Sequence, residues 1–206
     1  NDIRERSGVN TCPMCGSMHC GTLDHVMPKA GHPAFAIFGL NLVPACKCNV
    51  LRSTAITGAA AGERILHPYF DNVLAERLLA ARFDDLGPVP RISLRLVLAA
   101  GHPDFAAVAF HAKVVVGRTQ VRDYLSKTWV KFVRRPSSVV PELRHDPATR
   151  AELVEILEHQ LENFDDFHES KNNWNSMFVM GLLDDDVIDW IFARFNLPGR
   201  LPNSGL

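Results

Sequence analysis

The sequence predicts an α+β protein, in which a small metal-stapled β-loop-β-helix unit precedes a mainly helical C-terminal region. Three observations carry this expectation. All five cysteines, Cys12, Cys15, Cys20, Cys46 and Cys48, lie in the first quarter of the 206 residues. Residues 12–57 are short apolar segments punctuated by Gly and Pro. Further along, apolar residues recur at helical spacing, most clearly Leu153, Ile156, Leu157, Leu161 and Phe164.

In chain order, "GTLDHVM" suits a short strand and "PKAGHPAFAIFG" a loop, broken by Pro28, Gly31, Pro33 and Gly39. "LNLVPA" suits a second strand, and "KCNVLRSTAIT" a short helix stopped by Gly58. "RILHPYFDNVLAERLLAARF" reads as a turn at Pro68 followed by a helix. "RISLRLVLA" alternates like a strand, giving the helical region at most one short strand pair. "DFAAVAFHAKVVVGRTQVRDYL" is ambiguous, since Val114 to Val116 favour strand and the alanines favour helix. From Thr119 the spacing is helical. A long helix is expected to start near Pro147, and "NWNSMFVMGLL" and "DDDVIDWIFARF" read as closing helices. The division expected is residues 1–71 for the metal-stapled unit and 72–206 for the helical region, which would pack on that unit or bind DNA or a partner.

Composition is that of a globular protein, with 47% hydrophobic and 22% charged residues, which is enough apolar content for a sizeable core. No run of eighteen apolar residues is present, so neither a membrane-spanning helix nor a membrane partner is expected. No signal peptide is visible, and a cytoplasmic location is expected. The chain begins with Asn rather than Met, which leaves room for residues upstream. No Walker motif or nucleotide-pocket signature occurs.

An odd number of cysteines crowded together argues against a disulfide framework and suits a metal knuckle in a reducing compartment. Cys12-Pro13-Met14-Cys15 is a turn that lets two thiolates converge on one ion. Alone it is weak, because redox proteins share it. Cys46-Lys47-Cys48 supplies a second pair, making the four thiolates of a closed structural zinc site. A unit this small gains from such a staple. The competing reading makes Cys46 or Cys48 a small buried hydrophobe, with Cys20 or His19 as substitute ligands.

Between the pairs lie Asp24 and His25, at the end of an apolar run where burial without a task is costly. Asn49 directly follows Cys48. If the strands pair and the helix packs across them, Asp24 and Asn49 face one point. Two oxygen ligands leave a hard cation such as Mg²⁺ open to water and phosphate. Histidine is the side chain suited to accepting a proton from an attacking water near neutral pH.

The pattern "CPMC … LDHVMPK … NLVPACKCN … R" resembles the HNH endonucleases, the ββα-metal nuclease family. Leu23-Asp24-His25, Pro28, Lys29, the run Asn41 to Pro44 and Cys48-Asn49 fall in that family's order. The resemblance is close over residues 12–71. It extends more loosely to stand-alone bacterial HNH proteins linked to anti-phage defence, through "RILHPYFDNVL" and "KNNWNSMFVMGLL". It implies that Asp24 and Asn49 bind a catalytic Mg²⁺ or Mn²⁺, that His25 is the general base, and that Asn41 braces the loop and orients His25. The partners it implies are DNA and a sensor or ATPase protein that controls the effector. Two departures stand out. The second knuckle is one residue shorter than the family's C-x-x-C, and Arg52 replaces a common Lys. Together with Lys29, Arg52 is a candidate phosphate contact, able to make two hydrogen bonds. The alternative function is a non-catalytic zinc-binding module for nucleic acid or protein; an RNA-directed nuclease would use the same chemistry.

Charge is unevenly spread. Residues 113–150 hold nine Lys or Arg against three acids, and residues 151–189 hold eleven acids against Lys171. Either the two blocks neutralise each other, or Arg118, Arg122, Lys127, Lys131, Arg134 and Arg135 line a nucleic-acid path. His67 reads as a turn residue, and Tyr69, Phe70, Trp129, Trp174 and Trp190 as core. No chemistry is assigned to His32, His102, His111, His145, His159 or His168.

Overall fold

The computed structural model describes residues 11–206. The first ten residues of the unit expected over 1–71 lie outside the described residues. The described chain forms two compact units that cut across that expected division. One comprises the described chain up to Leu79 with Leu96–Val121 and Asp165–Trp174; the other comprises Ala80–Arg95, Arg122–Phe164 and Asn175–Leu206.

In the first unit, β1 (Thr22–His25) pairs antiparallel with β2 (Leu42–Ala45), with Asp24 opposite Val43 and His25 opposite Leu42. The ladder is continued by the Val26 N–H on Asn41 O at 2.9 Å. The intervening loop holds short 3-10 turns at Pro33–Phe35 and Gly39–Asn41. Helix α1 (Cys48–Leu51) follows β2 immediately and is a single turn. It ends well before Gly58, because Ser53 takes a left-handed φ of 58° and Thr54, Ile56 and Thr57 disfavour helix. Helix α2 (Phe105–Val114) resolves the ambiguous alanine-valine stretch, and Val108, Val115 and Leu66 are buried.

In the second unit, β3 (Leu79–Asp84) pairs with β4 (Arg91–Leu96). The segment "LLAARF" was expected to be helical and is a strand. The cause is tertiary: a methyl group added at Gly181 would lie 2.5 Å from Ala81 O and 2.8 Å from the Phe83 ring. Helix α5 (Trp174–Leu182) therefore comes against β3 backbone to backbone, which small residues on both sides allow, and helix propensity is overridden. Helices α3 (Val121–Arg134), α4 (Arg150–His168) and α6 (Asp185–Phe195) complete the helical part. Phe83, Trp129, Phe132 and Phe178 stack in its core, with ring centroids between 4.7 and 6.3 Å apart. Helix α4 starts at Arg150 rather than Pro147. Thr149 Oγ1 accepts from the Glu152 N–H at 3.1 Å and Glu152 Oε2 from the Ala148 N–H at 2.7 Å, a reciprocal cap. Among the described residues no helix is long and apolar enough to cross a membrane.

Candidate metal centre and cleft

The first knuckle is a tight turn. The Gly16 N–H donates to Cys12 O at 2.8 Å and the Cys12 N–H to Ser17 O at 2.7 Å. Gly16 has φ of 75°, and a Cβ there would fall 1.7 Å from Asn172 O, so only glycine fits. Cys46 leaves the end of β2, Lys47 takes helical angles, and Cys48 begins α1. The shortened C-x-C thus turns both thiols inward. The sulfur atoms of Cys12, Cys15, Cys46 and Cys48 all lie within 4.8 Å of one another, with Cys12 to Cys48 at 3.6 Å and Cys15 to Cys46 at 3.4 Å. Zinc–sulfur bonds of about 2.3 Å in a tetrahedron put sulfurs roughly 3.8 Å apart, so the four thiols suit a structural zinc ion. Cys20 and His19 stand outside the cluster.

Hydrogen bonding with Cys12 pushes the Cys15 and Cys48 thiols up and holds Cys46 down. All four ionise together only around a cation. Backbone N–H groups assist, from Cys46 to Cys12 Sγ at 3.4 Å and from Cys48 to Cys46 Sγ at 3.3 Å.

Two side chains to which the sequence reading gave no chemistry, His111 and the core residue Trp174, hold the knuckle. His111 Nε2 donates to Met14 O at 2.6 Å while its Nδ1 accepts the Leu66 N–H at 3.0 Å. Trp174 Nε1 donates to Cys15 O at 2.8 Å. Neither contact is legible in sequence, since both partners are backbone carbonyls far along the chain. His67 behaves as a turn residue, its Nδ1 accepting from the Tyr69 N–H at 3.2 Å.

Beside the knuckles, Asp24, His25, Lys29, Asn49 and Arg52 line one open cleft of about 430 Å³. Asp24 Oδ1 accepts the His25 N–H at 2.8 Å, and Oδ2 takes no protein donor among the described residues. His25 Nε2 meets Ala36 O at 2.9 Å. A carbonyl only accepts, so Nε2 carries the proton and Nδ1 is the basic nitrogen. Asn49 Nδ2 donates to His25 O at 2.7 Å. Asn49 Oδ1 accepts from Arg52 Nε at 2.6 Å and keeps a second lone pair.

Two expected roles change. Arg52 is not placed to hold a phosphate: it is 1% exposed, with donors on Asn49 Oδ1, Ala55 O, His25 O and Val26 O. Burial lowers its pKa, and the Asp24 carboxylate partly offsets this. Its charge is stabilised from inside the fold. Asn41 hydrogen-bonds within the loop and does not touch the His25 ring. Its Oδ1 accepts the Met27 N–H at 2.7 Å, and its Nδ2 donates to Met27 O at 3.1 Å and Phe35 O at 3.0 Å. It fixes Phe35, the residue before Ala36, whose carbonyl meets the imidazole. Lys29 is exposed at the cleft and remains the candidate phosphate contact. Arg118 reaches Leu51 O at 3.4 Å, at the C-terminal end of α1.

The fold and cluster define a mixed α+β protein with an N-terminal four-cysteine cluster suited to a metal ion and a mostly helical C-terminal half. No protein-family model matches the chain, and no solved structure does. It is similar to protein ea31 of Escherichia phage lambda, being 25% identical over 195 residues, which cover 90% of this chain. The match spans 65% of that protein's length.

Proposed function

We propose that the chain is a metal-dependent endonuclease of the HNH (ββα-metal) type that hydrolyses phosphodiester bonds in DNA. The observation that supports this most is the meeting of Asp24, His25 and Asn49 around one cleft, with no hydrogen-bond partner on His25 Nδ1 among the described residues. The antiparallel β1–β2 pair followed directly by α1 is the arrangement such a centre needs.

In this reading Asp24 Oδ2 and Asn49 Oδ1 are the protein's oxygen ligands for Mg²⁺ or Mn²⁺. A divalent cation there supplies charge neutralisation at the scissile phosphate and the leaving oxygen. His25 Nδ1 takes a proton from water as its oxygen attacks phosphorus. The bond to the 3′-oxygen breaks, solvent protonates that oxygen, and a 5′-phosphate remains. Ala36 O holds the imidazole in the proton-accepting tautomer, and Asn41 holds the loop that carries Ala36. Lys29 attracts the strand. Zinc at the four cysteines staples the unit and takes no part in the chemistry.

The biological setting proposed is an effector in conflict between phage and bacterium, controlled by a sensor or ATPase partner and acting in the cytoplasm. The similarity to a phage protein is consistent with that setting. One observation favours a zinc-binding module without catalysis, namely the occupation of Asn49 Oδ1 by Arg52. The two readings separate on one experiment. Protein stripped of loosely held metal is given Mg²⁺ or Mn²⁺ and supercoiled plasmid. The nuclease reading expects cleavage to return with zinc content unchanged; binding of plasmid with no cleavage under any divalent ion refutes it.

A further inference from the structure

The ion pairs of the second unit bear on the basic block. Arg82, Arg91, Arg95, Lys127, Arg150 and Arg200 each meet a carboxylate there. Lys131, Arg134 and Arg135 are exposed and meet none among the described residues. The acidic helix does not neutralise them, since no ion pair joins α3 to α4, and Glu155, Glu158 and Glu162 are likewise exposed and unpaired among the described residues. The unpaired cations of α3 and the unpaired acids of α4 therefore lie on different helices.

Helix α3 presents its basic groups in a fixed direction. Leu125, Trp129 and Phe132 are fully buried and anchor one side. At 100° per residue, Lys127, Lys131 and Arg134 fall within about 60° of one another on the opposite side. The Arg135 N–H still bonds to Lys131 O at 2.9 Å, and the backbone turns extended at Arg135, which adds a further exposed cation just beyond the helix end. From Lys131 to Arg134 the axial rise is about 4.5 Å, between one and two base steps of a duplex at about 3.4 Å each.

We propose that the C-terminal half of α3 is a docking surface for the sugar-phosphate backbone of nucleic acid, with Lys131, Arg134 and Arg135 as its contacts. The choice of nucleic acid among polyanions rests on the nuclease reading. Three phosphate contacts contribute roughly 2.7 to the slope of log affinity against log salt. The surface gives affinity without sequence preference.

The test measures equilibrium binding of a fluorescent 20-base-pair duplex to the His25→Ala chain between about 50 and 200 mM salt, a range over which phosphate contacts are strongly screened. Adding K131Q, R134Q and R135Q should lower the slope by between two and three and leave Tm unchanged. Single R134Q and R135Q variants should each remove about one unit, and E155Q with E158Q should not weaken binding. A slope unmoved by the single and triple changes overturns the proposal. So does loss of binding to phosphatidylserine vesicles with duplex binding intact. Failure of the nuclease reading shows separately, as absence of divalent-dependent cleavage by the wild-type chain with the slope effect preserved.

Discussion

Arg52 donates its Nε–H to Asn49 Oδ1 at 2.6 Å, while Asn49 Nδ2 donates to His25 O at 2.7 Å. A buried guanidinium thus holds the amide beside the candidate base, and the cleft wall depends on an interior charge. Arg52→Ala leaves the Ala55 and Val26 carbonyls and Asn49 Oδ1 without their donor, at a cost of about 3 kcal/mol. Arg52→Lys keeps the charge but loses the planar fork, and should fall between the two. Urea unfolding measures this. If Arg52→Lys lowers DNA affinity while stability is unchanged, the side chain is a phosphate contact instead.

Asn41 makes three hydrogen bonds within the loop and is 3% exposed. Asn41→Ala should destabilise the chain by about 2–4 kcal/mol. Cleavage should fall as well, because the Phe35–Ala36 segment that holds His25 loses its brace. Denaturation alongside single-turnover cleavage, at a temperature where the variant stays folded, separates the two effects.

The cysteine cluster predicts a sharp difference between neighbours. Cys46→Ser should abolish stoichiometric zinc and lower Tm by several degrees or more, because the free energy of binding a structural zinc is folding free energy. Cys20→Ser should retain zinc. Metal analysis of the purified variants checks both; equal zinc loss in the two would place Cys20 among the ligands.

His111 makes stability depend on pH. Burial pushes its imidazole down to about 4, opposed in part by the bond to Met14 O. The unfolded chain, with an ordinary histidine near 6.5, binds more protons between those values. Stability is therefore complete above about pH 6.5 and falls as pH drops toward 4, by about 3 kcal/mol from this residue. His111→Gln should be less stable at neutral pH yet show a shallower acid slope. Chemical denaturation at several pH values reads the difference, and identical slopes would contradict the role given to His111.

Much of the cleft and of the cysteine cluster was legible because the residues are local. Asp24, His25, Asn41, Asn49 and the four clustered cysteines lie within 38 positions, and one hairpin brings them together. What escaped was set by distant packing. The helix expected over "LLAARF" became β3 because Gly181 lets α5 approach Ala81. The clamp of His111 and Trp174 on the first knuckle depends on carbonyls, which carry no sequence signal. Arg52 misled because a cation beside a cleft reads as a ligand for phosphate, whereas its short tether turns it inward onto four acceptors.

The central claim is that the imidazole of His25 removes a proton from water at a phosphodiester. The most direct measurement compares plasmid cleavage by the wild-type and His25→Ala chains at matched zinc content, with saturating Mg²⁺. Loss of general-base catalysis should slow cleavage by roughly 10²–10⁴-fold while Tm and duplex affinity stay within error. Equal rates from the two chains would contradict the account.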